Sequence, residues 1–231
     1  DTSTSKFSAA IKGNGGNSGN QTWDLFTPTN NSAELIEWIS TAQQTWTETE
    51  LAVFDFIVTG ELGGVDIASG FQYRDETFNV ARGASSIAQF DSSGNITVPA
   101  DLLFLGGGLE SNASRNAMAV FVEGSMNPSD NLEINGALRY EDLETDSSIN
   151  PKISFRYQAT DNLALRASFS TSFREASLAQ LTSTTIGLQG IQDYNADGSP
   201  KGGTTFIRIA QANNPNLDPE ESDNMNIGAI W

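Results

Sequence analysis

The sequence predicts an all-β fold in which antiparallel strands run up and down in chain order. Apolar and polar residues alternate with a period of two in seven segments, as in half-buried strands. Connections between these segments alternate between short and long, and basic residues collect on the polar side of the alternation. Short turns at one end and long loops at the other are typical of a barrel that crosses an outer membrane. We therefore predict an antiparallel, up-and-down transmembrane β-barrel with long extracellular loops, to which this chain contributes about seven strands.

Composition excludes several classes of function. The chain has 231 residues, no histidine, no cysteine and a net charge of -17. A generic nucleic-acid binder needs a basic surface, so nucleic acid is not an expected partner. Disulfide scaffolds, thiol nucleophiles, histidine-dependent triads and Cys/His metal sites are also excluded. No apolar run approaches the roughly 18 residues of a transmembrane helix.

Residues 1–46 differ from the rest and are predicted to form a loop region with one short helix. The Gly13–Asn20 stretch is low in complexity and is predicted to be mobile. Asn31–Glu34 carries a helix N-cap signal, and Leu35 and Trp38 follow it at helical spacing. The helix is therefore expected to start after this signal.

Residues 47–231 carry the strands. In the first segment, Phe54 and Phe56 fall on one side and Asp55 on the other, and later segments repeat this pattern. The alternating segments are, in chain order, Leu51–Leu62, Val65–Arg74, Asn116–Gly124, Leu132–Glu141, Lys152–Gln158, Leu163–Ser172 and Met225–Trp231. The predicted barrel turns the side that carries Phe54, Phe56, Leu138 and Phe155 outward.

The connections justify the up-and-down order. Glu61–Gly64, Ser125–Asp130 and Ala159–Asn162 are rich in Gly, Pro, Asn and Asp and are predicted to be tight turns. Long excursions are predicted at residues 75–115 and 174–224, with an intermediate one at 142–151. A soluble sandwich has no reason to sort its loops in this way.

Six of the twelve basic residues lie on the polar side of the alternation or on its direct continuation. In a barrel that side is a wet lumen, and a cation moved to the lipid side costs about 2–4 kcal/mol at the bilayer midplane. A soluble β-sandwich whose charges face solvent remains an alternative at this point. The polar side carries the candidate lumen-facing residues Asp55, Gln72, Arg74, Arg139, Lys152, Arg156, Arg166 and Arg174.

A separate acidic segment suggests calcium. Asp193, Asn195, Asp197 and Ser199 place oxygen atoms at alternate positions around a glycine, as in the first half of a calcium-binding loop. The twelfth position is Thr204, where such a loop has a bidentate glutamate, so an ordinary turn is the alternative. Calcium is the one cofactor that the sequence suggests, and a secreted calcium-binding β-sandwich adhesion module is the rival function.

Several strands and their flanking residues resemble one known family. The motifs that carry the resemblance are Gly64–Glu76, Leu132–Tyr140, Asn150–Tyr157, Leu163–Arg174 and Asn214–Ser222. Together they are similar to the barrel of TonB-dependent outer-membrane receptors. The sequence departs from the family pattern at Glu175 and Ala176, which replace the usual Ala-Pro after Phe-Arg.

The resemblance implies a 22-stranded barrel in the bacterial outer membrane, plugged by an N-terminal domain and energised by the TonB complex. It implies a receptor that imports a scarce nutrient, and not an enzyme. The nutrients that the family imports include siderophores, cobalamin and oligosaccharides. The polar-side residues would then contact the plug or the nutrient, and the apolar side would contact lipid. The chain supplies about seven strands of this larger barrel and neither plug nor TonB box, so we expect a partial barrel, the middle portion of a longer polypeptide. A complete small barrel ending at Trp231 is the alternative.

Overall fold

The computed structural model describes residues 1–144 and 146–231. Within these residues, seven long strands form one sheet in the order β1-β2-β5-β6-β7-β8-β11, with β1 and β11 at its open edges. The all-β prediction is confirmed. The strands are β1 (Thr45–Leu62), β2 (Val65–Arg82), β3 (Gln89–Phe90), β4 (Ile96–Val98), β5 (Ser111–Ser129), β6 (Leu132–Leu143), β7 (Ser147–Thr160), β8 (Leu163–Arg174), β9 (Thr185–Ile191), β10 (Thr205–Gln211) and β11 (Glu220–Ile230).

Three two-residue turns lie at one end of this sheet. Gly63 and Gly64 join β1 to β2 with φ of 61° and 79°, which are the positive angles of a type I′ hairpin turn. Residues 130–131 and 161–162 make the corresponding turns after β5 and β7. The predicted turn at Ser125–Asp130 is wrong, because β5 continues to Ser129 and shifts register after Met126. That irregularity accommodates Pro128, which cannot donate to a regular ladder.

Connections at the other end are shorter than predicted. The expected excursion at 142–151 is wrong, since Asp142 pairs with Ser147 and Leu138 pairs with Pro151. Residues 147–151 are Ser-Ser-Ile-Asn-Pro and give no clear local strand signal, and pairing with β6 makes them a strand. Likewise β2 extends to Arg82, so the two long excursions are residues 83–110 and 175–219.

The sheet separates apolar from charged side chains by face. Phe54, Phe56, Leu138 and Phe155 are 60%, 58%, 47% and 39% exposed and do not pack into a closed interior. Their neighbours in sequence point to the opposite face, which we call the inner face and which carries the arginines. The β-sandwich alternative required the reverse arrangement, so this separation of the faces gives it no support.

The chain divides into two compact units. The sheet unit comprises Thr49–Thr77, Ala113–Leu178 and Asn216–Trp231, and the loop unit comprises Asp1–Glu48, Phe78–Asn112 and Ala179–Pro215. The helical elements are α1 (Thr4–Ile11), α2 (Ala33–Ile39), α3 (Leu178–Thr182) and two 3₁₀ turns, Pro28–Asn30 and Ala84–Ser86. None of the helices in the described residues is long and apolar enough to cross a membrane.

In the loop unit, α2 confirms the predicted helix. The Ser32 hydroxyl accepts a hydrogen bond from the Leu35 N–H at 3.1 Å, as an N-cap does. Helix α1 was not predicted; it packs Ala10 against Leu35 and Ile39. Gly15 exchanges two backbone hydrogen bonds with Gln21 and is buried, so the segment predicted to be mobile is folded there.

Polar contacts join the three segments of the loop unit. Asp101 accepts hydrogen bonds from the Ser3 hydroxyl at 2.6 Å and the Ser5 N–H at 2.7 Å. Burial raises the pKa of Asp101, but these hydrogen bonds outweigh it and the pKa is lowered. Arg208 donates to the carbonyl oxygens of Leu102 and Leu103. Residues 1–48, 78–112 and 179–215 therefore form one body.

Candidate functional site

The inner face of the sheet unit brings four of the predicted polar residues together. Gln72 donates to Asp55 at 2.7 Å, and its amide oxygen accepts from Arg74 at 3.2 Å and from Arg139 at 2.8 Å. Glu141 then accepts both guanidiniums on one oxygen, at 2.9 Å from Arg74 and 2.7 Å from Arg139. We call these five residues the Glu141 network.

The sheet geometry explains why these residues meet. Arg139 and Glu141 are two apart on β6 and share a face, as do Gln72 and Arg74 on β2. Strand β5 lies between them, where Ala119 pairs with Glu141 and is buried, and its small side chain leaves room for the long ones to cross. The Glu141 side chain is only 5% exposed. A carboxylate so deeply buried needs charged partners, because desolvation of an unpaired charge is costly.

Removing the charge of Glu141 tests the network. We expect Glu141→Gln in the full-length protein to lower the free energy of unfolding by about 1–3 kcal/mol, because two guanidiniums then share a neutral oxygen. Chemical denaturation measures the loss. Glu133→Gln is the matched control, since Glu133 lies on the same strand and face and forms no ion pair in the described residues. Equal stability losses in both variants would contradict the role of the network.

A second ion cluster lies farther along the same face. Arg115 on β5 contacts Glu76 at 2.6 Å and Glu175 at 3.2 Å, and it donates to the Ala176 carbonyl oxygen at 2.6 Å. Burial raises the pKa of Glu175, and Arg115 opposes that shift. We call Glu76, Arg115 and Glu175 the Arg115 cluster. It fixes the start of the 175–219 excursion to the sheet.

Both ion groups border one cavity of about 340 Å³. Its wall contains three carboxylates (Glu76, Glu141 and Glu175) and two guanidiniums (Arg74 and Arg115). A second recess of about 560 Å³ on the sheet is lined largely by small residues, and Lys152 is among the residues that line it. The charged cavity is suited to bind polar or ionic groups.

The other predicted lumen residues lie apart from this cavity. Arg156 donates to Gln158 at 3.0 Å, and Arg166 lies against Gly228. Arg174 forms two hydrogen bonds to Glu220, and both side chains are 68% exposed. Arg156, Arg166 and Arg174 do not form a shared site with the Glu141 network in the described residues, and the lumen-facing role of these arginines stays a prediction.

The family model described as "TonB dependent receptor-like, beta-barrel" matches residues 2–231. This chain belongs to the TonB-dependent receptor family. Barrels of TonB-dependent receptors lie in the bacterial outer membrane. The match also includes residues 2–46, for which no strand was predicted. No curated protein matches the chain in sequence.

Two solved structures share the fold of this TonB-dependent receptor chain. A double mutant of the ferric enterobactin receptor PfeA from Pseudomonas aeruginosa aligns with a TM-score of 0.56 and 16% identity, covering 80% of this chain and 24% of that one. The siderophore receptor PirA from Acinetobacter baumannii aligns with a TM-score of 0.55 and 18% identity, covering 86% and 27%. The chain thus spans about a quarter of the length of these receptors.

The predicted calcium segment of the receptor forms a turn closed by its own hydrogen bonds. Asp197 accepts from the Ser199 N–H and hydroxyl at 2.9 and 2.6 Å, and the Asn195 amide donates to the Ser199 hydroxyl at 2.9 Å. The bonds from Ser199 lower the pKa of Asp197. No group of three or more acidic side chains is placed to hold a metal in residues 1–144 and 146–231. Calcium binding by Asp193, Asn195, Asp197 and Ser199 stays a prediction.

Sequence reasoning missed Arg115, Glu76 and Glu175 as site residues. Arg115 fell inside the predicted excursion 75–115, because the alternation of β5 is irregular at its start. The one available signal was the departure of Glu175 from the motif of TonB-dependent receptors. The structure shows that this departure supplies a carboxylate to Arg115.

Proposed function

We propose that this chain is the barrel portion of a receptor that imports a ferric siderophore across the outer membrane by TonB-dependent transport. The observation that carries the proposal is the family match over residues 2–231. Support for the siderophore class comes from the two solved neighbours, one named a ferric enterobactin receptor and the other a siderophore receptor.

The two faces of the sheet support this proposal physically. The outer face exposes large apolar side chains such as Phe54 and Leu138, which is the surface that hydrocarbon lipid stabilises. The inner face carries the Glu141 network and the Arg115 cluster, whose charges are unsuited to lipid. In this function the inner face contacts a plug domain and the loop unit captures the siderophore. The TonB complex acts on the plug to open the lumen.

Uptake of labelled iron tests the proposal. The full-length gene is expressed in a host that lacks its own siderophore receptors, with and without a functional TonB complex. We expect cells to accumulate iron from a panel of ferric siderophores only when both the receptor and TonB are present. Uptake of labelled cobalamin or maltooligosaccharide, with no iron uptake, would show that the receptor imports that nutrient instead of a ferric siderophore. TonB-independent uptake would contradict the mechanism.

A further inference from the structure

Two arginines of the inner face, Arg156 on β7 and Arg166 on β8, are directly opposite each other in strand register. Like charges at such positions repel and destabilise a sheet. Neither arginine forms an ion pair within residues 1–144 and 146–231, and the hydrogen bond of Arg156 goes to the neutral Gln158. By contrast, the other four arginines of the sheet unit, Arg74, Arg115, Arg139 and Arg174, each have a carboxylate partner.

The register neighbours of the two arginines form no ion pair with them in the described residues. Glu133 faces Arg156 across β6 and β7, but its carboxylate accepts a hydrogen bond from Asn135 at 3.0 Å instead. On the other side, Gly228 pairs with Arg166, and a Cβ atom at Gly228 would lie 2.8 Å from the Arg166 Nε atom. The glycine therefore leaves the space that the Arg166 side chain occupies. Within residues 1–144 and 146–231, the hydrogen bond to Gln158 uses one of the five N–H donors of Arg156, and both arginine side chains are exposed.

We infer that Arg156 and Arg166 bind an oxyanion, a carboxylate or a phosphate-like group, presented from the inner side of the sheet. Guanidiniums hold such groups through paired charge-assisted hydrogen bonds. An anion bound between the two guanidiniums attracts each of them, and these attractions offset the repulsion between the two positive charges. The oxyanion has two sources, an acidic side chain elsewhere in the same polypeptide or a free solute. This site goes beyond the proposed function, because it concerns a bound group that transport assays do not report.

Thermal unfolding of the full-length protein in detergent tests the site. Arg156→Gln and Arg166→Gln remove one charge each and keep hydrogen-bonding capacity. Lys201→Gln is the control, since Lys201 is an exposed cation in the 193–201 turn. Each variant is measured in sodium chloride and in sodium phosphate at equal ionic strength. Phosphate raises the Tm of most proteins by exclusion from their surface, so the informative quantity is the difference between variants in one buffer.

If a carboxylate of the polypeptide fills the site, both arginine variants unfold about 2–4 °C below Lys201→Gln in both buffers. If a free oxyanion fills it, wild type and Lys201→Gln gain more Tm from phosphate than the arginine variants do. If the site binds nothing, relief of repulsion leaves the arginine variants equal to or above the control in both buffers, and the inference is overturned. Because the measurement is Tm, failure of the iron-uptake assay leaves this result interpretable.

Discussion

Replacement of Arg115 by leucine is expected to lower the free energy of unfolding of the full-length receptor by about 2–4 kcal/mol. Removal of one partner of a buried ion pair leaves an uncompensated charge, which typically costs about 3–5 kcal/mol. Here the side chains of Arg115, Glu76 and Glu175 are 15%, 25% and 18% exposed, so water relieves part of that cost. The substitution also removes the donor to the Ala176 carbonyl oxygen. Chemical denaturation followed by intrinsic fluorescence measures the change.

Arg174→Leu is the matched control for this prediction. Arg174 also pairs with a glutamate, Glu220, but both side chains are 68% exposed. Such surface pairs contribute little to stability, because water screens them and side-chain entropy opposes them. Limited proteolysis adds a local measure, since loss of Arg115 should expose residues 175–182 to cleavage and loss of Arg174 should not. If Arg115→Leu and Arg174→Leu lowered the free energy of unfolding equally, burial of the Arg115 cluster would add nothing to stability.

Glu175→Ala separates the two carboxylates of the cluster. It restores the alanine that the family motif has at this position and leaves Arg115 paired with Glu76. The expected loss is about 1 kcal/mol, smaller than that of Arg115→Leu, because one pair and the carbonyl contact remain. The same denaturation experiment ranks the two variants, and the reverse order would refute the arrangement described for the cluster.

The faces of the sheet were predictable from the sequence because alternation is a local property. Leu138 and Arg139 are neighbours in sequence and must point to opposite sides of β6. The partners within a face were not predictable in the same way. Gln72 contacts Arg139 although 67 positions separate them and β5 lies between their strands. Only the register of three strands brings them together, and the alternation pattern does not encode register across a long connection.

The loop unit shows the other limit of sequence reasoning. Gly108 pairs with Ile87 on one side and Thr185 on the other, so its structure depends on contacts between distant segments. A side chain at Gly107 would meet the Ser86 carbonyl oxygen at 2.2 Å, and φ at Gly107 is 67°. In the sequence, Gly106–Gly108 is only a glycine-rich stretch. Short strands such as β9 and β10 were missed for the same reason, because their pairing is set by the fold of the unit.

Phe155→Arg is expected to prevent most of the protein from assembling in the outer membrane, whereas Ser154→Arg is expected to be tolerated. The two residues are adjacent on β7 and point to opposite faces. The two variants therefore introduce the same cation at nearly the same position but on opposite sides of the sheet. On the lipid side it costs about 2–4 kcal/mol near the midplane, while on the inner face it joins hydrated polar groups. Heat-modifiable mobility of the full-length barrel in outer-membrane fractions measures the folded fraction. Equal folded fractions for the two variants would mean that the Phe155 face does not contact lipid, and the assignment of outer and inner faces would then have to be abandoned.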